Sequence, residues 1–126
     1  MDRDPADLPM PAPGLKTDIV RVGDAVVCVM AGDVHTGTKA LGDEALREAL
    51  ALRPALLAVD LDAVELFTAE GLNVLLTLRD AAGAYGVPLV LVSPSRSVRR
   101  ILDMTGAAEL FTIHSTIAEA VAGDQP

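Results

Sequence analysis

Residues 55–59, Ala-Leu-Leu-Ala-Val, and residues 89–92, Leu-Val-Leu-Val, are unbroken apolar runs too short to be amphipathic helices. A strand that is apolar on both faces must be buried on both faces, as in a parallel sheet covered by helices. The chain around them supplies those helices. Over residues 41–52, Leu41, Ala45, Ala49 and Leu52, with Leu46 and Leu50 beside them, follow the helical period, while Asp43, Glu44, Arg47 and Glu48 take the opposite face. A second helix is expected over about 69–82, burying Leu72, Leu75 and Leu76 and ending at Gly83 or Gly86.

The flanks extend the pattern. Residues 18–22 and 25–31 read as two strands joined by a tight hairpin at Gly23-Asp24. Ser95 caps a short helix that turns Val98, Ile101 and Leu102 inward and stops at Gly106. Residues 111–113 make a last short strand, and Thr116 with Glu119 three positions on forms a capping-box pattern opening a terminal helix. The order is ββαβαβαβα. Strands alternating with helices imply right-handed crossovers, hence an α/β fold with a mixed, mostly parallel sheet and helices packed against it. Residues 1–14 hold four of the 8 prolines and little hydrophobic periodicity, so a disordered or extended tail is expected there, with the domain over 15–126.

Composition narrows the function. Hydrophobic residues reach 51% but aromatics only 2%, so the core must be built from Leu, Val, Ile and Ala. A net charge of −8 argues against nucleic acid and anionic membrane surfaces as partners. The single cysteine, Cys28, cannot form an internal disulfide, and its place in the apolar run 26–30 makes it a buried, inert thiol. No apolar stretch reaches the roughly 18–20 residues that span a bilayer. Without a basic segment followed by an apolar one, the N-terminus does not read as a signal peptide. A cytoplasmic protein without membrane insertion is expected.

Catalytic motifs fail on inspection. Residues 32–39, Gly-Asp-Val-His-Thr-Gly-Thr-Lys, approach a phosphate-binding loop, but Thr38 precedes Lys39 and Ala40 stands where a magnesium-binding hydroxyl is needed. His35 and His114 have no neighbouring second ligand, so no metal is expected. No Gly-x-Ser-x-Gly nucleophile elbow occurs. Asp60 and Asp62 fall at the expected end of a parallel strand, where α/β folds often bind ligands, but without a nucleophile–base pair they read as turn-forming acids. The chain is therefore expected not to be an enzyme and to need no cofactor. Arg96, Arg99 and Arg100, with Arg79 expected nearby, are the notable basic cluster; the first three share a helix face that is solvated or meets an acidic partner.

Three segments resemble the STAS domain of bacterial anti-sigma factor antagonists. Gly32-Asp33-Val34-His35 stands where that family often has Gly-Glu-Leu-Asp. Residues 60–72 resemble its strand–turn–helix switch, Asp-Ser-Ser/Thr-Gly-Leu. Residues 93–106, Ser-Pro-Ser-Arg-Ser-Val-Arg-Arg-Ile-Leu-Asp-Met-Thr-Gly, resemble Ser-Pro-x-Val-Arg-Arg-x-Leu-x-x-Thr-Gly, the most specific of the three. The resemblance covers about 18–121. It places Thr68 at the switch Asp, Ala69 at the phosphoacceptor Ser and Glu70 at the next Ser, while Gly71 and Leu72 match.

That resemblance implies a protein that binds a serine-kinase ATPase anti-sigma factor and so releases a sigma factor. Phosphorylation of the Ser would end the complex, but Ala69 has no hydroxyl. Thr68 offers the neighbouring hydroxyl, but helix N-capping is its expected role. Glu70 complements the helix dipole, worth roughly 0.3–1 kcal/mol, or else acts as a weak phosphomimic. The expected partner-binding residues are His35, Thr68, Ala69, Glu70 and Asn73. Two other readings are a STAS adaptor or structural subunit of a transporter or stress complex, and a small-molecule or nucleotide sensor using the loop over 32–39.

Overall fold

The computed structural model describes residues 14–123. The expected tail over 1–14 falls outside them, apart from Gly14. Strand β1 (Leu15–Val22) turns at Gly23-Asp24 into β2 (Ala25–Val34), and the two pair antiparallel from Val22 against Ala25 to Leu15 against Gly32. There follow α1 (Lys39–Ala51), β3 (Leu56–Phe67), α2 (Ala69–Tyr85), β4 (Leu89–Val92) and α3 (Arg96–Thr105). A 3₁₀ turn (Ala107–Leu110), β5 (Thr112–His114) and α4 (Ile117–Gly123) complete the described chain. The strands lie side by side in chain order, and β2 through β5 are parallel.

That order decides where the helices go. Adding parallel strands in one direction, through crossovers of one hand, puts every crossover helix on the same face of the sheet. Accordingly α1, α2 and α3 pack against Val26, Cys28, Met30, Leu57, Val59, Leu61 and Leu91 in the main core. The opposite face, with Ala25, Val27, Leu56, Ala58, Val90 and Val92, packs against Ala120, Ile117 and Val121 of α4. Both faces of β4 and of the first part of β3, residues 56–59, are thus buried, which is why those stretches are uninterrupted runs of apolar residues.

Several expectations need correction. The strand was expected to end at Asp60 and run into a short turn before the helix, but β3 continues to Phe67 because β2 continues beside it to Val34. Asp60 and Asp62 therefore lie inside β3. They flank a shift in the β2–β3 register, and the Asp60 carboxylate accepts the Asp62 N–H at 3.1 Å. In α1 the buried stripe is Gly42, Ala45, Leu46, Ala49 and Leu50, whereas Leu41 and Leu52 flank it and are exposed. Gly42 allows the close approach, since a Cβ there would sit 3.2 Å from the Met30 methyl carbon. In α2, Leu76 is only half-buried and Val74 and Leu78 take the core positions; Gly86, at φ 71, is the glycine that ends it.

The other terminators behave as read. Ser95 caps α3 and Gly106 ends it. Thr116 accepts the Glu119 N–H at 3.0 Å, while the Glu119 carboxylate reaches back to the Ser115 N–H at 3.4 Å, one residue earlier than a strict capping box.

Two predictions follow from the packing. Gly32 has φ +108, and a Cβ there would collide with the carbonyl oxygen of Gly14, which the Asp33 N–H holds at 2.7 Å. Gly32→Ala should therefore cost about 2–4 kcal/mol in urea unfolding, and an unchanged midpoint would refute this account. Burial, then the charges of Asp18 and Glu48, push the Cys28 thiol up to about 11 from 9.0. Native protein should resist alkylation at pH 8, and its stability should fall as pH rises from 9 towards 11, where the unfolded thiol ionises and the folded one does not.

Candidate functional site

The junction between β3 and α2 is built from one residue. Thr68 leaves the strand with extended backbone (φ −110, ψ −178), and its hydroxyl oxygen accepts the Glu70 N–H at 3.3 Å as the N-cap of α2. The same hydroxyl donates to the carbonyl of Val34 at 3.2 Å, and the Thr68 N–H donates to that carbonyl at 3.1 Å. The start of α2 is thereby tied to the end of β2. Phe67, buried at the end of β3, lays its ring against Gly71, where a Cβ would come within 2.6 Å of the ring. Glycine at 71 lets the first turn of α2 sit down on the sheet.

Beyond Val34 the chain bends through residues 35–38 into α1. Thr38 is fully buried; its hydroxyl accepts the His35 N–H at 3.1 Å and donates to the Asp33 carbonyl at 2.8 Å. His35 is half-buried, and its Nδ1 accepts the Gly37 N–H at 2.9 Å, so the ring folds back over its own loop. Strand β2 includes Gly32, Asp33 and Val34, so the stretch that approaches a phosphate loop in sequence contains only a four-residue bend over 35–38. Lys39, the first residue of α1, places Nζ 3.3 Å from a Glu70 carboxylate oxygen.

The expected binding residues thus gather around one feature. Ala69 and Asn73 are exposed on the first turns of α2, with Thr68 and Glu70 half-buried beside them and the His35 loop held alongside through Val34. Glu70 and Asn73, three apart, share a helix face. Arg96, Arg99 and Arg100 are on α3, outside this group, and Arg79 is occupied by donating Nε to the Leu110 carbonyl at 2.9 Å.

Sequence reading missed Lys39 as a member of the site, because its partner is 31 residues away and no periodicity links them. It also missed Leu66, an apolar side chain left 46% exposed two residues before the cap. A long strand would have signalled Leu66, but only the tertiary pairing makes that strand long.

A five-stranded sheet in chain order, one antiparallel edge strand, and a capped helix opening beside the β2–α1 loop define a small α/β domain of the STAS type. The chain belongs to the STAS domain family, whose profile matches residues 16–120. It is 31% identical over 101 residues to the anti-sigma-F factor antagonist RsfB of Mycobacterium tuberculosis, covering 80% of this chain and 81% of that one. The fold is similar to an anti-sigma factor antagonist from Mycobacterium paratuberculosis (TM-score 0.83, 22% identity, covering 91% and 97% of the two chains). It is also similar to the phosphorylated form of the Bacillus cell fate determinant SpoIIAA (TM-score 0.67, 15% identity, 87% and 100%).

The Lys39–Glu70 pair is 48% and 34% exposed, which limits its worth to about 0–1 kcal/mol. A double-mutant cycle with Lys39→Ala and Glu70→Ala should return a coupling in that range that shrinks as salt is added. A coupling above about 2 kcal/mol would mean that the pair is far less solvated than its exposure indicates.

Proposed function

We propose that this protein is an anti-sigma factor antagonist that binds an anti-sigma factor of the serine-kinase ATPase type through the start of α2, and that phosphorylation in that turn does not reverse the binding. The supporting observation is the exposed first turn of α2, with Ala69 and Asn73 outward, on a junction held rigid by three hydrogen bonds of Thr68. A preformed helix end gives a partner a surface that need not be ordered on binding. The names of the relatives agree with such a role. Action by contact in the cytoplasm, without catalysis, follows from the same reading; no helix among the described residues is long and apolar enough to cross a membrane.

The switch chemistry follows from the residues. A phosphate at this helix end would add about −1.5 to −2 charges within the contact. Ala69 cannot accept one, and the Thr68 hydroxyl is engaged both as donor and as acceptor. Glu70 is a poor substitute for a phosphate, because Lys39 offsets its single charge. Its role is to complement the helix dipole and to bind the β2–α1 corner to α2.

Two measurements test the proposal together. After incubation with a serine-kinase anti-sigma factor and ATP, intact-mass analysis should show no added phosphate. In calorimetric titration, Asn73→Arg should weaken binding by more than about 1 kcal/mol with the thermal midpoint almost unchanged. A stoichiometric phosphate on Thr68 would show that the switch has moved by one residue. Unaltered affinity for Asn73→Arg would remove the start of α2 from the interface.

A further inference from the structure

We propose that the outer face of α3 is a second docking surface, separate from the start of α2, for an acidic segment of a partner protein that carries an apolar anchor. Arg96, Arg99 and Arg100 concentrate three of the chain's 10 basic residues in one helix of a protein with net charge −8. All three are exposed, while Val98 and Leu102 beneath them are fully buried. Asp103 lies in the same outward arc, so three guanidinium groups and one carboxylate leave the face at +2. Among the described residues no carboxylate is within ion-pairing distance of these arginines.

The placement works against the helix that bears it. Positive charge near a helix N-terminus opposes the helix dipole, and α3 has no acidic residue in its first turn. Arg96 and Arg100 also repel each other at i, i+4. The helix is held by other means: Ser95 accepts the Val98 N–H at 3.4 Å, the Ser95 N–H donates to the Leu61 carbonyl at 3.3 Å, and the Ser97 hydroxyl donates to the Glu65 carbonyl at 2.6 Å. A local rule broken on a well-anchored element marks a feature kept for something other than folding.

An apolar anchor point lies beside the charges. Met104, one turn beyond Arg100, is 70% exposed, and Leu110 on the adjoining 3₁₀ turn is 46% exposed. Methionine adapts to varied apolar surfaces, and Arg79 fixes the 3₁₀ turn by its bond to the Leu110 carbonyl. The net charge of −8 disfavours long polyanions such as RNA or an anionic membrane. A short acidic segment feels mainly the local field, because screening limits its reach to about 8–10 Å.

The test uses the full chain and a short fluorescein-labelled peptide of Glu and Asp with two leucines four positions apart. Anisotropy should show saturable binding, with amide shifts confined to α3 and the 3₁₀ turn. Arg96→Glu/Arg99→Glu/Arg100→Glu should weaken it by about tenfold or more, and the milder Arg100→Gln should weaken it in the same direction. The triple change should hold or raise the thermal midpoint, since acids suit a helix N-terminus. Met104→Ser should weaken binding by about threefold. Equal affinity for a peptide with Gln in place of Glu and Asp, shifts centred on the start of α2, or tighter binding of a short RNA or anionic vesicles would each overturn the proposal. None of these outcomes measures the anti-sigma contact, which is read by a different titration.

Discussion

One carbonyl oxygen, that of Val34, holds together the end of this domain that carries the candidate site. It takes both the N–H and the hydroxyl of Thr68, at 3.1 and 3.2 Å, and so joins the last residue of β2 to the cap of α2. The bond is possible only because β2 and β3 run parallel from Ala25 and Leu56 to Val34 and Phe67. From that clamp follow the position of the 35–38 bend, the meeting of Lys39 with Glu70, and the outward presentation of Ala69 and Asn73. Backbone pairing sets this geometry, and the surface ion pair adds little to it.

The same long strand explains how α3 is anchored. Strand β4 pairs with β3 only from Leu57 to Asp60, so the rest of that edge of β3 must find other partners. Groups at the start of α3 supply them at Leu61 and Glu65. An edge that would otherwise present unpaired carbonyls becomes the seat of a helix. Its arginines then project from a fixed base, which offsets the cost of their unfavourable placement.

The two candidate surfaces have contrasting electrostatics. At the start of α2 the Glu70 carboxylate faces the Lys39 ammonium, so the turn is close to neutral, and the contact proposed there rests on shape and on small exposed groups. Along α3 the three arginines outnumber the single Asp103 carboxylate, and none of them is ion-paired among the described residues. An acidic protein can carry both because screening confines each surface to its own neighbourhood.

Much of the fold was legible in the sequence. The unbroken apolar runs at 55–59 and 89–92, the hairpin at Gly23-Asp24, the caps at Thr68 and Ser95, and the terminator Gly106 are local signals that local chemistry fixes, whereas the sequence left Gly83 and Gly86 both open as the end of α2. The resemblance of residues 60–72 and 93–106 to a known family was likewise carried by the chain alone, and the family is confirmed over residues 16–120. The length of β3 was not legible. Residues 60–67 alternate too irregularly to read as a strand, and they form one because β2 provides a continuous parallel partner across a shift in register. The Lys39–Glu70 pair and the burial of Thr38 were hidden for the same reason: each depends on groups brought together by sheet order, and sequence spacing carries no record of that. The sequence by itself determined which segments become strands and helices and where most of them stop. Tertiary structure decided which ends meet, because non-local hydrogen bonds and packing set those distances.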